Sequence, residues 1–112
     1  MKKIHIKFSL ENKEILEIEE KLKELLSEKF GDFEKIERFG VQKNYSLHLY
    51  PRKEYRENDH IDKIVCDIGY DGRRSVLIIT AIGGHPDPFY VDTDIKDKLE
   101  YVENEMKKLF ID

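Results

Sequence analysis

The sequence predicts a single α+β domain over residues 1–112, with a largely antiparallel sheet of about five to six strands and two helices. Three observations predict this class. Residues 2–10 alternate between apolar and polar side chains, residues 64–82 have the pattern of a hairpin, and residues 95–109 repeat at helical spacing. The predicted order is β-α-β-β-β-β-(β)-α, with both helices on one face of the sheet. A chain of this length buries roughly two-thirds of the surface that it exposes when unfolded, which is enough for one core.

The first strand and first helix follow from two different periods. Residues 2–10 place one apolar set on one face of a strand, namely Ile4, Ile6, Phe8 and Leu10. A helix is predicted from about Glu11 to Phe30, because apolar residues recur there at helical spacing: Ile15, Ile18, Leu22, Leu25 and Leu26. Ser9 or Asn12 offers a cap at its start, and Gly31 suits a left-handed cap at its end.

The middle of the chain predicts several strands. Phe39 and Val41 alternate, and so do Tyr45, Leu47 and Leu49, with a bulge or turn at Gly40 or at Lys43-Asn44. Residues 51–61 are polar and irregular, which predicts a surface loop. A hairpin follows in residues 64–82, with its turn at residues 69–72. Its returning strand is apolar at nearly every position, which predicts a central strand buried on both faces.

The last helix has the strongest pattern. Its apolar residues repeat at intervals of 4, 3, 4 and 3: Ile95, Leu99, Val102, Met106 and Leu109. Asp92, Thr93 and Asp94 are suitable N-terminal caps, and Lys107 and Lys108 suit the C-terminal end of the helix dipole.

Composition narrows the function classes. The chain has 24 acidic and 20 basic residues and a net charge of -4, which argues against nucleic acid as a partner, since such proteins usually carry a basic excess. No apolar run approaches the length of a membrane span. The single cysteine, Cys66, cannot form an internal disulfide and predicts a cytoplasmic, reducing compartment. It falls on the apolar side of its strand, where a buried structural thiol is expected.

No complete catalytic, metal-binding or cofactor-binding motif is present. The four histidines are not spaced like zinc ligands, and Gly83-Gly84 belongs to neither a Walker loop nor a dinucleotide fingerprint. Residues 82–93 contain two glycines and two prolines, which predicts a rigid turn into the last helix. His85 with Asp87 is the nearest approach to an acid–base pair, and Tyr90 or His48 would complete that alternative site.

The segment from Leu77 to about Asp94 contains a late apolar strand, a glycine turn and the sequence Asp-Pro-Phe-Tyr-Val-Asp-Thr over residues 87–93. It resembles the second half of SUKH-superfamily proteins, many of which are immunity proteins that protect bacteria from polymorphic toxins. The Leu-Pro motif, aromatic-rich helix and Asn-Gly turn typical of that superfamily are not found here. The resemblance therefore transfers no functional residue.

Two surface features are candidate partner-binding sites. Four acidic residues on the first helix lie on one stripe away from the apolar face, at intervals of 3, 4 and 4: Glu17, Glu20, Glu24 and Glu28. This acidic ridge is either a solvated surface or a docking site for a basic partner. Tyr101 is predicted to point away from the apolar stripe of the last helix, as an isolated tyrosine or as part of an interface.

These observations predict a non-enzymatic, cytoplasmic protein-binding module. The leading hypothesis is an immunity protein or inhibitor that neutralises a bacterial toxin, possibly a basic nuclease, by direct binding. Its candidate contacts are the acidic ridge, Tyr101, His85 and Asp87, and neither a cofactor nor a metal is expected. The alternatives are a small enzyme with a His/Asp site at residues 83–88, and a homo-oligomeric structural protein that pairs through an edge strand, preferably the N-terminal one.

Overall fold

A computed structural model describes residues 2–11, 15–41, 44–54, 61–70, 73–83 and 93–109. The elements, in chain order, are β1 (Lys2–Glu11), α1 (Ile15–Phe30), β2 (Phe33–Val41), β3 (Asn44–Pro51), β4 (Ile61–Tyr70), β5 (Arg74–Gly83) and α2 (Thr93–Leu109). The predicted α+β class and order of elements are confirmed, and the described part of the sheet has five strands. Neither described helix is long and apolar enough to cross a membrane.

The sheet is antiparallel throughout, in the spatial order β1-β5-β4-β3-β2. Strands that follow one another in the chain are neighbours from β2 to β5, each paired antiparallel with the next. β1 pairs with β5 along its whole length, from Lys2 opposite Gly83 to Glu11 opposite Arg74. The first and second strands of the chain therefore form the two edges of the sheet.

Both helices pack on one face of this sheet. The alternate residues of every inner strand point toward them and are buried. The helices bury apolar side chains against them: Ile18, Leu22, Leu25 and Leu26 of α1, and Ile95, Leu99, Val102 and Met106 of α2. The largest fully buried side chains include Phe30, Leu47, Ile64, Ile79 and Leu99, so one core joins all the layers. Burial of these side chains, at roughly 25 cal/mol per Å² of apolar surface, is the main stabilising contribution to the fold.

The strand β5 differs from its prediction on one face. It lies between β1 and β4, as the sequence indicated, and Leu77, Ile79 and Ala81 are buried against the helices. Its other face carries Ile78 and Ile82, which are only half-buried, because both described helices are on the opposite side of the sheet. The apolar run was therefore not a sign of cover on both faces.

One buried polar cluster fixes α1 to the far edge of the sheet. Glu19 on α1 is 5% exposed, and both of its carboxylate oxygens lie 2.5 Å from Nη2 of Arg38 on β2. The hydroxyl of Tyr45 on β3 donates to the same carboxylate at 3.0 Å. Burial has the largest effect on Tyr45 and raises its pKa above the usual value, and the hydrogen bond to the Glu19 carboxylate raises it further. The cluster satisfies a carboxylate that would otherwise be costly to bury.

The hairpin between β2 and β3 depends on a glycine. Gly40 has a φ of 96°, and a Cβ at this position would lie 2.8 Å from the backbone oxygen of Asn44. Only glycine accepts this backbone angle and this approach without strain. The predicted turn signal at Gly40 therefore corresponds to a real conformational requirement.

Candidate binding surface on the open face of the sheet

The face of the sheet opposite the helices, called the open face here, is the most distinctive surface of the described chain. Two rows of residues cross all five strands on it, one residue from each strand. From β1 to β2, the first row is His5, Thr80, Val65, His48 and Glu37, and the second is Lys7, Ile78, Asp67, Ser46 and Phe39. The strand registers fix these neighbours, so the composition of the surface follows directly from the pairing.

The centre of the open face is apolar. Val65 on β4 and Val76, Ile78 and Ile82 on β5 are half-buried, with their upper surfaces not covered by either described helix. An antiparallel sheet with one solvated face normally alternates apolar residues inward with polar residues outward. β5 breaks that rule at Val76, Ile78 and Ile82, although Thr80 on the same face is polar. An apolar patch on an otherwise polar surface is typical of a site that contacts another molecule.

Aromatic and polar side chains occupy the β3 side of this patch. The rings of Phe39 and His48 meet edge to face, with centroids 4.6 Å apart and planes at 61°. His48 Nδ1 lies 3.3 Å from the Lys63 ammonium, and Ser46 donates a short hydrogen bond to Asp67. Phe39 is 48% exposed, which is high for such a large apolar side chain.

The contact with Lys63 also affects the ionisation of His48. Partial burial has the largest effect on His48 and lowers its pKa below the usual value, and the positive charge of Lys63 lowers it further. The negative charges of Glu37 and Asp67 have a smaller effect in the opposite direction. A neutral imidazole can accept a hydrogen bond from the Lys63 ammonium.

The open face is positively charged relative to the rest of the chain. Its side chains include four lysines and two carboxylates: Lys3, Lys7, Lys35, Lys63, Glu37 and Asp67. With neutral histidines this set has a net charge of about +2, whereas the whole chain has -4. Lys35 pairs with Glu37 at 3.2 Å, Lys63 contacts His48, and the other two lysines, Lys3 and Lys7, lie on β1. The apolar centre thus has a basic rim.

The dimensions of the face suit a protein interface. Strands about 4.8 Å apart, with same-face residues spaced about 6.7 Å along each strand, give a five-stranded surface of roughly 600 Å². A standard protein–protein interface covers about 800 Å² on each partner. The open face therefore supplies most of one side of such an interface without any rearrangement.

The predicted acidic ridge is exposed on the opposite side of the molecule. Glu17, Glu20, Glu24 and Glu28 all lie on the outer surface of α1. Two of them form ion pairs with neighbouring lysines, because Lys23 lies 3.1 Å from Glu20 and Lys21 lies 3.4 Å from Glu24. Such exposed pairs are worth at most about 1 kcal/mol each, so the ridge stays available to a partner.

An apolar groove adjoins one end of this ridge. Its volume is about 460 Å³, and it is lined by Leu16, Glu17, Glu20, Lys21 and Leu109. Leu16 and Leu109 are 66% and 51% exposed, which is unusual for leucines next to a packed core. Two acidic side chains therefore flank an apolar depression between the start of α1 and the end of α2.

Tyr101 lies between the two helices. It is half-buried against the core, its hydroxyl donates to Glu28 at 3.4 Å, and the Lys29 ammonium lies 4.0 Å from the centre of its ring. Partial burial, followed by the charge of Glu28, raises the pKa of Tyr101. The residue is thus not isolated, and these contacts give it a structural role in helix packing.

The remaining predicted residues have separate positions. His85, Asp87 and Tyr90 lie outside the described residues, while His48 is on the open face. Cys66 is fully buried, as predicted, and burial raises the pKa of its thiol, which keeps it protonated and unreactive. Among the described residues, no group of three or more His, Cys, Asp or Glu side chains could hold a metal ion.

Sequence reasoning found the acidic ridge but missed the open face. The available signal was that β5 is apolar at nearly every position. This pattern indicated that both of its faces need cover, but it did not show what covers the second face. No family model, curated protein or solved structure matches the chain, so comparison with known proteins does not indicate a function. The resemblance of residues 77–94 to the SUKH superfamily therefore stays a prediction.

Proposed function

We propose that this chain is a non-enzymatic protein-binding module whose partner covers the open face of the sheet. The observation that carries the proposal is the apolar centre formed by Val65, Val76, Ile78 and Ile82 on a face that neither described helix covers. Burial of that centre supplies the association free energy, because apolar area removed from water is the main favourable contribution. The flanking aromatic side chains are of the type enriched at interfaces.

The chemistry of the face defines the partner. Lysines at its rim complement carboxylates, so the partner surface has an apolar centre bordered by acidic side chains. The same lysines would also attract nucleic acid. However, proteins that bind single strands on a sheet stack the bases on aromatic side chains, whereas the centre here is aliphatic. A protein partner is therefore the better fit.

This role agrees with the immunity or inhibitor class. An inhibitor acts by occluding the active site of its partner and needs no catalytic group of its own. We place the module in the bacterial cytoplasm, where the single buried Cys66 stays reduced, and we propose a toxin as the protein that it neutralises. The toxin assignment is also what the SUKH resemblance implies.

Binding to the product of the adjacent gene tests the proposal. The measurement is a calorimetric titration with the wild-type chain and with Ile78→Asp, which puts a charge at the apolar centre. Leu16→Asp is the matched control, because it places the same charge on an exposed leucine of the helix side. Ile78→Asp is expected to weaken binding at least about tenfold, equivalent to about 1.4 kcal/mol, while Leu16→Asp leaves it unchanged. Equal binding by Ile78→Asp and wild type would exclude the open face.

A second candidate is neutralisation of a basic partner through the acidic ridge. The specific observation in its favour is the apolar groove beside Glu17 and Glu20. A basic amphipathic segment would bury its apolar side chains there and place its cations against the ridge. In that case the two variants change roles: Leu16→Asp abolishes binding and Ile78→Asp does not. Binding would also weaken steeply as salt is added, because exposed charges are screened.

A further inference from the structure

The edge strand β2 exposes large apolar side chains on both faces of the sheet. Ile36 points to the helix side and is 46% exposed, and Phe39 points to the open face and is 48% exposed. A molecule lying on either face would cover only one of them. A strand added along the edge covers the flanks of both, because cross-strand neighbours pack on each face of a sheet.

The sequence of β2 is complementary to itself when paired antiparallel. If Ile36 faces its own copy, then Lys35 faces Glu37 of the other copy, and Glu34 faces Arg38. Each charged residue thus meets the opposite charge, and the isoleucines meet each other. The pairing of Lys35, Ile36 and Glu37 carries the argument, because a bulge between Phe33 and Lys35 makes the start of the strand irregular.

The contact within each chain strengthens this match. Lys35 already lies 3.2 Å from Glu37 of the same strand, both on the open face. In the paired arrangement, each of these residues also faces the opposite charge of the other copy. The two lysines and two glutamates then form a closed ring of alternating charges across the symmetry axis. Such a network stabilises the dimer more than isolated exposed ion pairs would.

The backbone permits this register whichever residues of β2 point their N–H and C=O groups away from the sheet. In an antiparallel ladder, directly opposed residues alternate between bonded and non-bonded pairs. If the backbone N–H and C=O of Ile36 point away from β3, the two copies of Ile36 hydrogen-bond to each other across the twofold axis. If these groups point toward β3 instead, the backbone groups of residues 35 and 37 form the hydrogen bonds between the copies. Both cases keep the same side chains opposite each other.

The other edge lacks this property. On the open face β1 carries Lys3, His5 and Lys7 in succession, so any antiparallel self-pairing in register places basic residues close to basic residues. Lysines along an edge are a known means of preventing strand addition. The N-terminal strand, which the sequence had favoured for pairing, is therefore the protected edge.

We infer that two copies of this chain associate through their β2 strands, centred on Ile36, into a twofold dimer with one continuous ten-stranded sheet, five strands from each copy. The inference does not depend on the proposed function. It has a consequence for that function, since the two open faces become one surface of twice the width. A partner with two equivalent sites would then bind with avidity.

Charge reversal at the edge tests the inference with the protein alone. Sedimentation velocity from low micromolar to about 1 mM chain measures the monomer–dimer equilibrium of the wild type and of three variants. Lys35→Glu and Glu37→Lys each create like-charged pairs across the axis and are expected to weaken dimerisation at least about tenfold. The double variant exchanges the two charges, keeps every pair opposite, and is expected to restore the dimer.

Mixing the two single variants gives the sharpest readout. One chain then presents two glutamates and the other two lysines, so an equimolar mixture forms a heterodimer. Native mass spectrometry distinguishes it from both homodimers when one of the two chains is uniformly labelled with nitrogen-15. Lys7→Glu on β1 is the matched control and leaves the equilibrium unchanged. A wild type that is monomeric over the whole range overturns the inference, as does a mixture that stays monomeric, or single variants that dimerise like wild type. None of these outcomes bears on binding at the open face.

Discussion

Removal of the carboxylate of Glu19 should destabilise the fold far more than removal of any carboxylate of the acidic ridge. Glu19 is almost completely buried, and it accepts hydrogen bonds from Arg38 and Tyr45. The change is Glu19→Ala, and the matched control is Glu20→Ala on the next residue. The side chain of Glu20 is 73% exposed and forms an ion pair with Lys23.

The expected magnitude follows from what each partner loses. Tyr45 is 5% exposed, so its hydroxyl is left buried without its acceptor, which costs about 1–3 kcal/mol. The side chain of Arg38 is 48% exposed and can return to water, so its lost ion pair adds only about 0–1 kcal/mol. We therefore expect Glu19→Ala to lower the free energy of unfolding by about 1–4 kcal/mol. Glu20→Ala should change it by no more than about 0.5 kcal/mol.

Urea denaturation followed by far-ultraviolet circular dichroism measures both variants, with the slope of the transition checked for constancy. Tyr45→Phe serves as a second probe, because it removes the buried hydroxyl while leaving Glu19 paired with Arg38. Since the donor and acceptor act on each other, the effects of Glu19→Ala and Tyr45→Phe should not add. A loss below about 0.5 kcal/mol for Glu19→Ala would refute the reasoning that this cluster fixes α1 to the β2 edge.

Three further changes have defined outcomes. Gly40→Ala should lower the free energy of unfolding by about 2 kcal/mol in the same denaturation assay, because alanine disfavours a φ of 96° and its Cβ meets the Asn44 backbone oxygen. Ser75→Ala should be neutral or stabilising by up to about 1 kcal/mol, since the buried Ser75 hydroxyl has no hydrogen-bond partner in the described structure; a clear loss would reveal a missed bond. His48 should titrate below its usual pKa in an NMR titration, and Lys63→Met should raise that pKa by removing the neighbouring charge. Because the folded-state pKa is the lower one, the stability linked to His48 is present above about pH 6.5, the unfolded value, and is lost as pH falls through the folded pKa.

The parts of the fold that depend on local periodicity could be predicted from sequence. β1 alternates cleanly, and α2 follows its apolar repeat from Ile95 to Leu109, so both were identified near their observed bounds. The hairpin of β4 and β5 was equally clear. These elements were predictable because one face of each is buried, and burial imposes its period on the side chains.

The burial of Glu19 was not predicted, although the sequence holds a signal for it. Residues 15, 19, 22 and 26 follow intervals of 4, 3 and 4, so Glu19 occupies a position within the apolar stripe of α1. A carboxylate in that stripe requires a buried partner, but Arg38 and Tyr45 lie 19 and 26 residues farther along the chain. Pairing at such distances is set by the packing of α1 on the sheet, which local patterns do not encode.

Because local patterns do not encode tertiary packing, the two binding surfaces could be recognised only when the strand order of the sheet was known. The charge pattern of β2 is present in the sequence, yet it acquires meaning only because the strand order leaves β2 at an edge. Likewise, the apolar run of β5 has two interpretations until the helices are placed on one side. On the helix side the run builds the core, and on the other side it builds the open face. A strand in the interior of the sheet that is apolar on its open side is costly to leave in water, which is why a partner for that face is the simplest account of the sequence.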